Sequence, residues 1–141
     1  MPFVLDNSVS SGWFIRNQAT PYSEAIAVRL QSERAVVPAL WELELCNVLR
    51  SACLHKAMTA QTAQAVIANI VSLPIDVDRH AVRPSELLAL ALRFGLTSYD
   101  AAYLELALRR QVPIATLDAP LRDAAQACGV GTVSEESSPK E

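Results

Sequence analysis

The chain has 141 residues, of which 51% are hydrophobic and 19% charged, and its formal net charge is −3 at pH 7. This composition excludes an intrinsically disordered chain and suits one compact domain with a sizeable core. It also excludes a strongly basic nucleic-acid binder, because such proteins neutralise phosphates with clustered lysine and arginine. Any contact with nucleic acid is therefore expected to be local, weak or metal-assisted.

Strands and helices alternate along the first half of the chain. Thr20 followed by Pro21 is typical of a helix start, Thr59 supplies another N-cap, and Pro74 ends a helix. Apolar residues recur at helical spacing in the longer segments. The predicted elements are strands over Pro2–Leu5, Ala35–Val37 and Ile75–Val77, a short helix opened by Asn7–Ser11, and helices over Tyr22–Glu33, Ala39–His55 and Ala60–Leu73.

The second half continues the alternation. Gly95 ends one helix, Thr97 and Asp100 match a capping box, and Asp118 caps the last helix. The predicted elements are helices over Pro84–Phe94, Ser98–Arg110 and Ala119–Cys128, a strand over Val112–Thr116 and a possible edge strand over Val130–Val133. We expect one domain over residues 1–133 and a disordered tail over 134–141. The alternation predicts an α/β fold, with a mostly parallel sheet and helices on both faces.

The cysteines Cys46, Cys53 and Cys128 form neither a CxxC pair nor an even set. They predict reduced, mostly buried thiols in a cytoplasmic protein. The apolar run before Asp6 is too short for a signal peptide, and no run approaches the ~18 residues that a membrane helix requires. No membrane partner is expected.

Several carboxylates lie where an α/β fold gathers its chemistry, beyond the carboxyl ends of strands. Asp6 follows the first strand, Asp118 follows the last strand of the core, Asp100 opens a helix, and Glu42 and Glu44 lie on the long helix. Each of the three aspartates alone could be an ordinary cap or turn residue. Helical periodicity does not choose between Glu42 and Glu44, and either could form a structural ion pair with an arginine. Together, however, converging carboxylates repel each other unless a cation lies among them.

Oxygen ligands without nearby cysteine or histidine favour Mg²⁺ or Mn²⁺ over Zn²⁺. Such a cation can activate water and stabilise charge on a phosphate, which is the chemistry of phosphodiester hydrolysis. The lone histidines, His55 and His80, have no metal-ligand spacing. Arg109 and Arg110 are typical of a helix C-terminus, and a contact with RNA stays open for them. Tyr99 could stack on a base, whereas Tyr103 is expected in the core.

Four segments in order resemble the signature segments of PIN-domain proteins, most closely the VapC-type toxins of toxin–antitoxin pairs. They read FVLDNSVSSGWF, VPALWELELCNVL, LTSYDAAYLELA and ATLDAPLRDAA, and they extend from Phe3 to Ala125. The resemblance implies a PIN-like three-layer α/β/α sandwich and a metal-dependent endoribonuclease that uses Mg²⁺ or Mn²⁺. It also implies RNA as the substrate, a cognate antitoxin protein as inhibitor, and a homodimer.

Carried over by position, the resemblance implies catalytic and metal-binding roles for four acids and supporting roles for two hydroxyl residues. The acids are Asp6, Glu44, Asp100 and Asp118, and the hydroxyl residues are Ser8 and Thr116. Glu44 fits the family's segment because it precedes Asn47 by three residues, whereas Glu42 does not.

Two other classes of protein compete with the nuclease. A PIN fold with a degenerate site would be a binding module, although all four acids are present. A phospho-acceptor receiver domain needs an acidic pair after the first strand and a lysine after the last, but the only lysines are Lys56 and Lys140. The sequence also lacks the GxxxxGK[ST] run of a P-loop and the GxSxG of an α/β-hydrolase.

Overall fold

A computed structural model describes residues 1–135 of the chain. The expected disordered tail lies mostly outside the described residues. The strands are β1 (Phe3–Leu5), β2 (Ala35–Pro38), β3 (Ile75–Asp78) and β4 (Ile114–Ala115), and the helices are α1 (Asn7–Ser10), α2 (Pro21–Arg29), α3 (Leu40–Leu54), α4 (Ala60–Val71), α5 (Pro84–Phe94), α6 (Ser98–Arg110) and α7 (Ala119–Ala127). Short 3₁₀ turns at Ser11–Trp13 and Arg16–Gln18 connect α1 to α2.

The four strands form one parallel sheet in the order β3-β2-β1-β4. Val4 at the centre pairs with Val36 on one side and with Ile114 on the other. The chain moves outward from β1 through β2 to β3 and then returns to the opposite side of β1. The strand order therefore reverses between β1 and β4, and a crevice opens at such a switch point beyond the strands' carboxyl ends.

Helices cover the sheet because the strands β1, β2 and β4 are apolar on both faces. All three residues of β1 and both residues of β4 are buried. Helix α6 packs across β1, β2 and β4, and five of its residues are buried: Ala101, Tyr103, Leu104, Leu106 and Ala107. The predicted α/β class and three-layer α/β/α sandwich are confirmed.

The last predicted strand is reduced to a single bridge. Thr132 pairs in parallel with Ile114, and the predicted strand over Val130–Val133 does not form within the described residues. Gly129 and Gly131 adopt positive φ angles of 83° and 74°, which interrupt an extended strand. Within the described residues, only one bridge therefore forms on the outer side of β4, opposite β1.

Two predictions of burial are wrong. Val71 belongs to the apolar stripe predicted for α4 but is 77% exposed. The thiol of Cys46 is exposed, and those of Cys53 and Cys128 are partly exposed, although all three are free. Periodicity identifies a helix face but does not show how far a neighbouring element covers it. Within residues 1–135, every helix is too short or too polar to cross a membrane.

Candidate active site

Asp6 lies at the carboxyl end of β1, in the crevice at the switch point, and is only 5% exposed. Its Oδ2 atom accepts hydrogen bonds from Ser8 Oγ and Thr116 Oγ1, each at 2.7 Å. The Asp6 side chain makes no capping bond to α1, although Asp6 occupies the N-cap position. The Asp6 carboxylate is therefore not a helix cap, although its sequence position allowed that interpretation. Two neighbouring hydroxyl groups hold it in place instead.

The loop after β4 is tied to the loop after β1 through the same hydroxyl groups. Leu117 N donates to Ser8 Oγ at 3.0 Å, and Asp118 N donates to Thr116 Oγ1 at 3.0 Å. Asp118 Oδ2 accepts from Leu121 N at 3.0 Å and so caps α7, as predicted. Its other carboxylate oxygen has no hydrogen-bond partner in the described part of the chain, so this cap leaves one oxygen available for a ligand.

The other two acids come from α3 and α6. Glu44 Oε1 accepts a hydrogen bond of 2.5 Å from the hydroxyl of Tyr103, a fully buried residue of α6. Asp100 opens α6, and its backbone N–H donates to Thr97 Oγ1 at 3.1 Å. The Thr97 half of the predicted capping box is therefore formed, while the half-buried carboxylate of Asp100 lies toward Asp6 and Asp118.

The sequence predicts a core position for Tyr103 but does not reveal its contact with Glu44. Tyr103 is indeed buried, but its hydroxyl needs a partner there because an unpaired buried polar group is costly. Its spacing offered a signal, since Asp100 and Tyr103 are three residues apart and therefore share one face of α6. The sequence therefore indicates that Tyr103 lies on the same face of α6 as Asp100, but it does not show that Glu44 of α3 is its partner.

The electrostatics show that the carboxylates lie close enough to influence one another. Burial raises the pKa of Asp6; the hydrogen bonds from Thr116 and Ser8 oppose this, and the charge of Asp118 adds to it. Burial also raises the pKa of Glu44, with further increases from the charges of Asp6 and Asp100. Burial is also the largest cause that raises the pKa of Asp100, followed by the charges of Asp118 and Asp6. The structure thus brings the four acids together in one repulsive cluster.

This cluster is not a preformed ligand cage. Across residues 1–135, no three acidic, histidine or cysteine side chains stand in an arrangement that could hold a metal ion. The set of donors nevertheless suits a hard cation, since the acids and their neighbours Ser8 and Thr116 offer only oxygen atoms. For these acids to hold an ion together, their carboxylates would have to approach each other.

Other charged residues near the sequence motifs form structural ion pairs. Glu42 accepts two hydrogen bonds from Arg79, at 2.9 and 3.0 Å, so an ion pair with an arginine accounts for it. Arg109 and Arg110 both bind the carboxylate of Asp78, at the end of β3. These three contacts give Glu42, Arg109 and Arg110 structural partners.

A small apolar slot opens beside Glu44. It has a volume of about 300 Å³ and is lined by Leu40, Leu43, Glu44, Asn47 and Tyr99. The Tyr99 side chain is exposed, in contrast to Tyr103 on the same helix. The site therefore combines carboxylates with a flat aromatic surface on which a planar ring could stack.

Comparisons with known proteins agree with this architecture. Residues 3–127 match the model of the PIN domain. The chain is 33% identical over 102 residues to Ribonuclease VapC12 from two Mycobacterium tuberculosis strains, CDC 1551 and H37Rv, covering 72% of this chain and 78% of the relative.

A crystal structure of PAE2754 from Pyrobaculum aerophilum superposes with a TM-score of 0.61 at 19% identity, covering 94% of this chain and 88% of that one. That likeness supports the fold alone, whereas the family model matches most of the chain. The chain belongs to the PIN-domain family, in its VapC-type group.

Proposed function

We propose that this protein is a metal-dependent endoribonuclease of the VapC toxin type, which hydrolyses RNA phosphodiester bonds. The observation that carries the proposal is the cluster of Asp6, Glu44, Asp100 and Asp118 at the switch point of the sheet. Four separate elements of the chain contribute these acids. A cation bound among them would offset the repulsion between their charges. The similarity to Ribonuclease VapC12 supports RNA as the substrate.

The four acids would hold Mg²⁺ or Mn²⁺, with Ser8 and Thr116 as supporting residues. When bound, the ion would supply charge stabilisation at a phosphate and a water of lowered pKa. The raised pKa values of Asp6, Glu44 and Asp100 fit this role, because a cation offsets the mutual repulsion that contributes to them.

The remaining contacts position these acids. Ser8 and Thr116 fix Asp6 Oδ2, and the Tyr103 hydroxyl fixes Glu44 Oε1, so both carboxylates keep a second oxygen for the ligand. The α7 cap does the same for Asp118. The slot beside Glu44 would receive a base next to the scissile phosphate, with Tyr99 as a stacking surface.

The proposed partners are a cognate antitoxin and a second copy of the chain, in the cytoplasm. Exposed apolar side chains supply material for protein contacts, notably Leu43 at 74%, Leu88 at 59% and Leu92 at 75% exposure. Light scattering of the purified protein tests the dimer, and co-expression with an inhibitor encoded nearby in the genome tests the antitoxin. A monomer at micromolar concentration would contradict the proposed homodimer.

The proposal is tested by expressing the wild type, Asp6→Asn and Glu44→Gln in a growth assay and by measuring RNA cleavage by the purified proteins. We expect toxicity and cleavage from the wild type alone, with cleavage lost in EDTA and restored by Mn²⁺. Equal toxicity in both variants would reject the site. A catalytically inactive PIN-fold binding module is the alternative function, and an absence of both Mn²⁺ binding and cleavage in the wild type would favour it.

A further inference from the structure

Three adjoining cavities follow α3 from Glu44 toward its C-terminal end, and together they form a groove. It begins at the slot beside Glu44, continues through a cavity of about 430 Å³, and ends in a cavity of about 930 Å³. Asn47 lines both the slot and the middle cavity, and Ala52 lines both the middle and the end cavity. From Glu44 to Leu54 the helix rises about 15 Å. The groove is therefore long enough to hold more than one unit of a polymer.

The far part of the groove is positively charged in an acidic protein. No aspartate or glutamate lines the middle or end cavity, whereas Arg16 and Lys56 line the end cavity. Six arginines elsewhere form ion pairs: Arg29, Arg34, Arg79, Arg83, Arg109 and Arg110. Arg16 and Lys56 have no ion-pair partner among residues 1–135. Their charges are therefore available to an anionic ligand.

The backbone conformation of Lys56 is a second observation that points to a role for its side chain in the groove. Lys56 has a φ of 60° and occupies the left-handed position after α3. Ala57 N donates to Ala52 O at 2.9 Å and Lys56 N to Cys53 O at 3.1 Å, which is the Schellman pattern. Glycine is the usual residue there, because any other L-residue is strained in the left-handed conformation. A lysine at this position retains a charge at the cavity despite that strain.

We propose that this groove, through Arg16 and Lys56, binds the phosphate backbone of single-stranded RNA to one side of the scissile bond. This inference rests on the proposed ribonuclease function. Glu44 lines the near end of the groove, which is an apolar slot suited to a base, and the far end of the groove is cationic. Alternating flat apolar surfaces and phosphate-binding cations is the usual arrangement for single strands. The cations thus provide the local contact that an acidic protein needs for nucleic acid.

Binding is measured in EDTA, where cleavage is not expected, by the fluorescence anisotropy of a labelled 12-nucleotide single-stranded RNA. The wild type is compared with Arg16→Gln/Lys56→Gln over a range of salt concentrations. Each lost phosphate contact on a single strand reduces the log–log salt slope by about 0.7. We therefore expect the salt slope of the double variant to be smaller by about 1.4. If the binding constants of the two proteins become equal near 1 M salt, the double variant should bind roughly 25-fold more weakly at 0.1 M salt.

The matched control is Arg83→Gln, which removes an exposed arginine outside the groove. It should leave the slope unchanged, and Lys56→Arg should restore binding when Arg16 is intact. A double variant with the wild-type slope would overturn the proposal. So would a double variant that loses affinity for a poly-glutamate peptide but keeps its affinity for RNA, because the groove would then be a site for acidic protein.

The two proposals fail in distinguishable ways. If Mn²⁺ never supports cleavage but the slope changes as expected, the ribonuclease function is wrong and the RNA groove remains. If the wild type cleaves RNA while the double variant binds and cleaves normally, the groove is wrong and the enzyme remains. The binding assay does not depend on turnover, so neither failure can be mistaken for the other.

Discussion

Tyr103 donates a hydrogen bond to Glu44, and this single bond joins α6 to α3 within the acidic cluster. The bond orients the carboxylate and also lowers its pKa, opposing the rise that burial and neighbouring charges cause. A buried tyrosine with one polar partner is therefore a positioning residue for the proposed active site.

Tyr103→Phe should move the pH dependence of RNA cleavage to higher pH. Removing the donor removes the contribution that lowers the pKa of Glu44, so a higher pH is needed to ionise that carboxylate. The measurement is the cleavage rate against pH at saturating Mn²⁺. Tyr99→Phe is the matched control, because it removes a hydroxyl from an exposed tyrosine of the same helix. Identical profiles for both variants would show that the bond does not tune Glu44.

Asp78→Asn should lower the free energy of unfolding by about 1.5–3 kcal/mol, the usual range for hydrogen bonds to charged groups. Only 6% of the Asp78 side chain is exposed, and it binds both Arg109 and Arg110. Asp76→Asn is the control, since Asp76 and its partner Arg34 are more than half exposed and such pairs contribute about 0–1 kcal/mol. Urea denaturation at pH 7 measures both variants, and equal losses would contradict the account.

The contacts of Asp78 with Arg109 and Arg110 also predict that the free energy of unfolding depends on pH. The hydrogen bond from Arg109, followed by that from Arg110, holds the pKa of Asp78 well below its usual value of 3.8. A depressed folded-state pKa means that the stabilisation is complete above pH 3.8 and is lost as the pH falls below that value. The difference between wild type and Asp78→Asn should therefore shrink on acidification. A constant difference down to pH 2 would contradict this origin of the stability.

Asp100→Asn should raise the melting temperature at pH 7. Burial and the charges of Asp118 and Asp6 raise the pKa of Asp100 in the folded state, so its ionisation destabilises the fold. The advantage of the variant should disappear below pH 3.8, where the wild-type carboxyl is also neutral. Asp123→Asn, in an exposed position of α7, is the control. A lower melting temperature for Asp100→Asn at pH 7 would contradict mutual repulsion within the cluster.

Lys56→Gly should stabilise the fold while weakening RNA binding. Glycine removes the left-handed strain of about 1–2 kcal/mol but increases the conformational entropy of the unfolded chain, which costs about 0.4–1 kcal/mol, so the net gain in the free energy of unfolding lies between roughly 0 and 1.6 kcal/mol. Urea denaturation and the RNA-binding assay measure the two effects on one protein. A loss of binding in a more stable variant cannot be due to misfolding, and unchanged binding would weigh against the groove.

The sequence was sufficient for elements whose signals are local. Helices over Pro84–Phe94 and Ser98–Arg110 match the predictions in full, because Gly95 and Thr97 mark their boundaries. The parallel sheet followed from alternation of strands and helices. The short edge bridge at Thr132 did not, because the two flanking glycines can adopt either an extended or a left-handed backbone.

In the candidate site too, local sequence signals predicted some residues, whereas others depend on tertiary contacts. The positions of Asp6 and Asp118 after strands were sufficient to place them at one edge of the sheet, but the choice of Glu44 over Glu42 came from the family segment. Tertiary contacts explain why periodicity could not decide, since Arg79 engages Glu42 and Tyr103 engages Glu44 from distant parts of the chain. The groove at Lys56 was also invisible, because its walls are separated in sequence.

The proposed function requires that the acidic cluster, including Glu44, binds the metal ion on which RNA cleavage depends. The most direct measurement is Mn²⁺ binding by calorimetry together with RNA cleavage, for the matched variants Glu44→Gln and Glu42→Gln. Both remove one negative charge from α3, only two residues apart. We expect Glu44→Gln to lose metal affinity and cleavage, and Glu42→Gln to retain both. Wild-type binding and cleavage in Glu44→Gln would contradict the proposed function.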